Sequence, residues 1–227
     1  MLNLKQAGSL FIGSLLVIGT WGLSASAADE KAASSGFLDA KVEAKMKEVK
    51  LDSGRKVTRW FSRDLNGKNY TAIMVDRAIY YPAPNPGPQV SSSTLDAIAQ
   101  HLTYTLKTRL GKGVSVVDKA GPGVLRLQPA FTAVTVEKEG MSAVDVLPVA
   151  LLFHAAKSAS GSSNYETRAQ LEVRITDSAS GDYRAAVKTD LEGKKIDKDA
   201  QLSLADIQKV LDKAAADGAS TIIKAMK

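Results

Sequence analysis

The feature that most constrains this chain is the run from Gly123 to Val136, GVLRLQPAFTAVTV. Leu125, Leu127 and Phe131 alternate with Arg126, Gln128, Ala130 and Thr132, the two-residue period of a strand half-buried in a sheet. It is the longest such run, so it is expected near the middle of a single sheet. Pro129 has no N–H to give to a ladder, and the run is therefore expected to carry a bulge or an unpaired side there.

Other segments supply its neighbours. Tyr70 to Tyr81 is rich in β-branched and aromatic residues and reads as one strand, stopped by the proline-rich stretch Pro82 to Pro88. Val114 to Asp118 reads as a short strand. Tyr165 to Thr176 alternates strictly, with Ala169, Leu171, Val173 and Ile175 inward and Arg168, Gln170, Glu172 and Arg174 outward. Asp177 to Asp182 makes a turn, and Tyr183 to Leu191 returns as the second strand of a hairpin.

Two long helices are expected. Leu95, Ile98, Leu102, Leu106 and Leu110 form one stripe, capped by Ser93 with Asp96 behind it and ended by Gly111. Ser203 caps the last helix with Asp206 in its first turn, and Leu204, Ile207, Leu211, Ala214, Ile222 and Met226 carry its apolar face. A strand, a helix and a returning strand predict a right-handed crossover with the two strands parallel. Phe37 to Lys50 reads as a shorter amphipathic helix, and Asp52 to Gly54 as a turn. Trp60 and Phe61, between Arg59 and Arg63, are expected to cap an open edge of the core rather than form a binding platform. The fold class that results is α+β: a single mixed, mainly antiparallel sheet of about five strands with two long helices packed on one face.

The N-terminus reads as an export signal. Lys5 precedes an apolar run from Ala7 to Thr20, and Ala25-Ser26-Ala27 supplies a small-residue cleavage site. The expected organisation is a cleavable signal over residues 1–27, a flexible linker over 28–36 and one α+β domain over 37–227. Leu23 to Ser26 also has the shape of a lipoprotein signal box with serine in the cysteine position. Cysteine is absent from the chain, which excludes disulfides, thiolate metal sites and a thioether lipid. A periplasmic protein without a lipid anchor is therefore expected.

The chemical inventory favours binding over catalysis. No HExxH, GxSxG or nucleotide-type glycine loop occurs, and no cofactor is expected. His101 lacks a second ligand at helical spacing and is expected at the surface, and His154 has no acidic neighbour and no expected catalytic task. The net charge is +6, but the cations alternate with carboxylates rather than forming a basic run with interleaved aromatics, so nucleic acid is not an expected partner. Asp76 and Asp118, both near strand ends, offer a carboxylate pair to an enzyme or small-ligand carrier. Met141 to Ala156 is apolar almost throughout, yet shorter than the span of about 20 residues a membrane needs. It reads as a connecting helix over the sheet or as a docking element. In the second case Leu147, Val149, Leu151, Leu152 and Phe153 would meet an envelope protein, with peripheral membrane contact as the other use. The expected function is a non-catalytic envelope binding or structural protein.

Several stretches carry a family resemblance: SSGFLDA, WFSRDLNGKNYTAIMVDRAIYY, VSVVDKAGPGVLRLQPAFTAV, VLPVALLFHAAKSASG and ITDSASGDYRAAV. Together they resemble the bacterial envelope family known as domain of unknown function 3313, over roughly residues 35 to 225. The resemblance implies an envelope protein, in a family of mostly lipoproteins without an established activity. It brings no catalytic residues, and Ser26 departs from the lipoprotein pattern.

Overall fold

A computed structural model describes residues 34–84, 86, 90–138, 164–197 and 200–227. In chain order the elements are α1 (Ala40–Glu43), β1 (Lys47–Lys50), β2 (Lys56–Phe61), β3 (Ala72–Val75), β4 (Ile79–Tyr80), α2 (Ser92–Leu110), β5 (Ser115–Val117), β6 (Val124–Lys138), β7 (Asn164–Asp177), β8 (Tyr183–Asp197) and α3 (Leu204–Ala225). The strands form one sheet in the order β1-β2-β8-β7-β6-β3-β5, with β4 paired to β6. Pairing is antiparallel from β1 across to β6, and parallel where β3 meets β6 and β5.

The mixed α+β class holds, and among the described residues there are eight strands in place of about five, with a single-turn helix beside the two long ones. Phe37 to Lys50 is not one helix. Asp39 caps a single turn by accepting the Lys41 amide at 2.7 Å, and Val49 then pairs with Val57 in a β1–β2 hairpin. Tertiary pairing overrides a weak helical pattern there. Tyr70 to Tyr81 is not one strand either. The Asp76 amide still bonds Leu127 on β6, but the Ala78 amide goes to the Thr103 hydroxyl of α2 at 2.8 Å, so the chain leaves the ladder before β4 rejoins it.

Pro129 lies in register with Val173, and the β6–β7 register shifts between Phe131 and Ala133 instead. The carbonyls of Leu127 and Phe131 accept from Asp76 and Tyr81 on the β3–β4 side. Alternate residues of a strand share a side, so Pro129 turns its missing donor toward the break between β3 and β4. The unpaired side, not a bulge, accommodates the proline.

One sheet face packs under α2 and α3. Ile73, Leu125, Leu127, Phe131, Leu171, Ile175 and Leu191 join Leu102, Leu110 and Leu211 in one buried cluster. The cap of α2 is Ser91, whose hydroxyl accepts the Thr94 amide at 3.1 Å. Ser93 lies inside the helix instead, and Asp96 is engaged by Arg77 and Gln100. For α3, the Asp206 carboxylate accepts the amide and the hydroxyl of Ser203 at 2.9 and 2.6 Å. A Cβ on Gly193 would lie 2.1 Å from the Thr167 hydroxyl oxygen and 3.3 Å from the Asp206 carbonyl, so glycine lets the start of α3 sit down on β8.

The second face is covered as well. Phe37, Leu38 and Val42, in a strap running from Ser35 through α1, pack on Ala130 and Ala186. Under the strap Glu172 is fully buried, accepting from Ser35 at 2.8 Å and Thr132 at 3.0 Å, with the Lys188 ammonium 3.6 Å away. Gln170 and Glu172, expected to face solvent, are therefore interior.

Candidate functional site

Between α3 and the β2–β8 side of the sheet the core is not filled. In β2, Val57, Arg59 and Phe61 point to the helix side, while Thr58 and Trp60 point the other way. Val187 and Thr189 of β8 and Leu171 and Val173 of β7 continue this floor. Above it α3 offers Ala214, Ala215, Asp217 and Gly218 before Thr221 and Ile222, with Leu106 of α2 beside them. The alanines and glycine leave space above the floor, and a small apolar slot of about 50 Å³ remains. Gly218 is the clearest sign. It stands inside a helix, where glycine costs about 1 kcal/mol relative to alanine, and a Cβ there would meet nothing within 4 Å.

The slot opens into an outer depression of about 360 Å³. Four cations, Lys50, Arg55, Arg59 and Lys224, surround the opening against two carboxylates, Asp52 and Asp217. Asp217 is committed, accepting from Arg55 at 3.1 Å and Ser53 at 2.8 Å. Lys224 donates to Asp52 at 2.8 Å and holds that carboxyl below the usual carboxylate range, with the charge of Arg59 adding to the effect. Arg59 lines both the slot and the depression. Its guanidinium lies 5.2 Å from the Phe61 ring, and among the described residues it makes no ion pair. An arginine stacked on an aromatic at an apolar mouth can still offer its forked donors to an anion.

The residues singled out from the sequence lie elsewhere. Asp76 accepts from Arg126 at 2.9 Å and Gln128 at 3.0 Å, whereas Asp118 is exposed and faces Lys107 at 3.3 Å. Each carboxylate thus has its own partners, and the structure shows no contact that joins them. His101 is not a bare surface residue: it meets Asp212 of α3 at 2.7 Å and ties the two long helices together. Leu147, Val149, Leu151, Leu152, Phe153 and His154 lie outside the described residues. Trp60 and Phe61 do not act as a pair, since they face opposite sides of the sheet, Trp60 under Lys45 at 5.2 Å and Phe61 at the slot.

A polar cluster at the β7–β8 turn has a structural task. The Tyr70 hydroxyl donates to Asp177 at 2.8 Å and accepts from Arg184 at 2.6 Å. The Ser180 amide, with help from Tyr70, holds Asp177 below the usual carboxylate range, while burial and then the bond to Asp177 push the Tyr70 phenol up. Among the described residues no three metal-ligating side chains converge, and no helix is long and apolar enough to cross a membrane.

Known proteins are similar to this chain over most of its length. It is 30% identical over 184 residues to the uncharacterized lipoprotein YdcL of Escherichia coli K12, covering 81% of this chain and 82% of that protein. Among solved structures, the PelC dodecamer from Paraburkholderia phytofirmans aligns at 11% identity and a TM-score of 0.38, over 75% of this chain and 98% of that one. A minor lipoprotein from Acinetobacter baumannii aligns at 10% identity and a TM-score of 0.29, over 68% and 91%. The YdcL match corrects the expected localisation. The relative is a lipoprotein by name, and the lack of cysteine rules out one covalent linkage without placing this chain free of the membrane. The family model for the protein of unknown function DUF3313 matches residues 33–218, and with the YdcL similarity this shows that the chain belongs to that family.

Proposed function

We propose that this protein is an exported component of the cell envelope that binds an apolar ligand and catalyses no reaction on it. The observation that carries this reading is the slot under α3, lined mostly by apolar side chains and bordered by the depression where the cations gather. Sites for small molecules are concave, mostly apolar and furnished with a few polar groups at one end. Export is supported by the charged, apolar and small-residue segments before Ala28. A relative's name supports an envelope setting, since YdcL is called a lipoprotein.

A thermal-shift titration tests the reading. Dodecyl maltoside, kept below its critical micelle concentration, should raise the melting temperature in a saturable way, as mass action requires of a ligand bound by the folded state. Gly218→Leu, which places a side chain in the empty space, should fold and lose the response. A flat titration in the unaltered protein, or an undiminished response in the variant, would contradict it.

A further inference from the structure

Positive charge gathers at one edge of the sheet. Lys45 to Arg63 holds seven lysines and arginines against two carboxylates, Glu48 and Asp52, in a chain whose net charge is +6. Elsewhere cations mostly alternate with carboxylates. In the fold this stretch is the β1–β2 hairpin, and β1 is an outermost strand of the sheet. The register sets like charges face to face, Lys47 opposite Arg59 and Lys50 opposite Lys56, which lowers the stability of a hairpin. Lysine on an edge strand keeps other edges from pairing with it, but Lys56 and Arg59 stand on β2, which is paired on both sides. The strand at the other edge, β5, reads Ser-Val-Val and carries no charge. Within the hairpin Arg55 is paired with Asp217 and Lys56 with Glu48, and Arg59 acts on Asp52. Lys45, Lys47 and Lys50 are exposed and make no ion pair among the described residues.

We propose that the β1 edge rests on an anionic phospholipid surface, with Lys45, Lys47 and Lys50 reaching the headgroup phosphates. This shares with the proposed function its envelope setting and makes no use of the slot. A protein partner would be met by an apolar centre within a polar rim, and this edge offers none. Met46 packs with Trp60 against the strap's cluster, and Val49 is half-buried opposite Val57. What remains outward is charge on flexible lysine stems. Such stems need no fixed geometry from their partner, which suits the many mobile phosphates of a bilayer.

Vesicle sedimentation, with protein purified from the envelope of producing cells, tests this. Vesicles containing phosphatidylglycerol in phosphatidylcholine should bind the protein far better than phosphatidylcholine alone, and raising sodium chloride from about 50 mM to about 0.5 M should release it. The double variant Lys47→Gln/Lys50→Gln should keep its melting temperature and partition about 30-fold less, about five-fold for each lysine near the surface. Lys47→Arg/Lys50→Arg should partition like the unaltered protein. Lys112→Gln/Lys119→Gln makes the same change of net charge on either side of β5 and should lose less than about two-fold, since those side chains are exposed at the other edge. Equal losses in the two glutamine variants would overturn the β1 edge as the contact. Equal binding to both kinds of vesicle, or binding to neither, would overturn the anionic surface. Tighter binding to soluble polyglutamate than to the vesicles would overturn it in favour of an acidic protein.

Discussion

Gly218 lines a void from the interior of a helix otherwise rich in alanine, and nothing stands within 4 Å of where its Cβ would be. Gly218→Ala is therefore expected to raise stability by about 0.5–1 kcal/mol, through helix propensity and a less free unfolded chain. A higher urea midpoint at unchanged slope checks this, and a lower midpoint would mean the site does not accept a Cβ. The turn cluster yields a pH-dependent expectation. Asp177 is depressed in the folded protein, so its contribution is present above about pH 4 and is lost as pH falls through its folded value. Tyr70 is raised, so its contribution is present below about pH 10 and is lost as pH rises through its folded value. In stability-versus-pH curves, Asp177→Asn should flatten the acid limb and Tyr70→Phe the alkaline limb. Limbs parallel to those of the unaltered protein would contradict the assignments.

At the scale of elements, the strap from Ser35 through α1 changes what a mutation on the second sheet face should do. Arg174 donates to Gln128 at 3.0 Å and lies 4.9 Å from the Phe37 ring. Arg174→Ala should cost about 1–2 kcal/mol rather than the near-zero effect of a solvent-facing arginine. Phe37→Ala should cost about 3–5 kcal/mol. The double variant should cost less than the sum of the two by about 0.5 kcal/mol or more, because the side chains touch. Strict additivity in denaturant melts would show that the strap does not stack on this arginine. The alternation in β6 and β7 was legible because long strands repeat their period often enough to be read, and the leucine stripe of α2 was legible for the same reason. The strap and the β1–β2 hairpin were not. Lys56 to Phe61 mixes Val57, Arg59 and Phe61 on one face with Thr58 and Trp60 on the other, so a charge interrupts the apolar period. That same arginine was the one available signal for the slot, together with a glycine inside the α3 pattern. Nothing local in the sequence shows that β2 pairs with β8 and lies beneath α3.

For the whole molecule, the sheet is wider than the two helices that lie over it. Among the described residues α2 and α3 seal the side built from β3, β6 and β7, while α3 faces β2 and β8 mainly with alanines and glycine, beside Leu106 of α2. This domain thus keeps a firm core on one side and leaves a gap on the other. The most direct test is methyl-detected NMR on the protein bound to a twelve-carbon alkyl ligand. Intermolecular Overhauser contacts from the alkyl chain to the methyls of Val57, Val173, Val187 and Ile222 are expected, with contacts to Ile79 on the far side of the sheet absent. Saturable binding with no contact to those four methyls would contradict the placement of the site under α3.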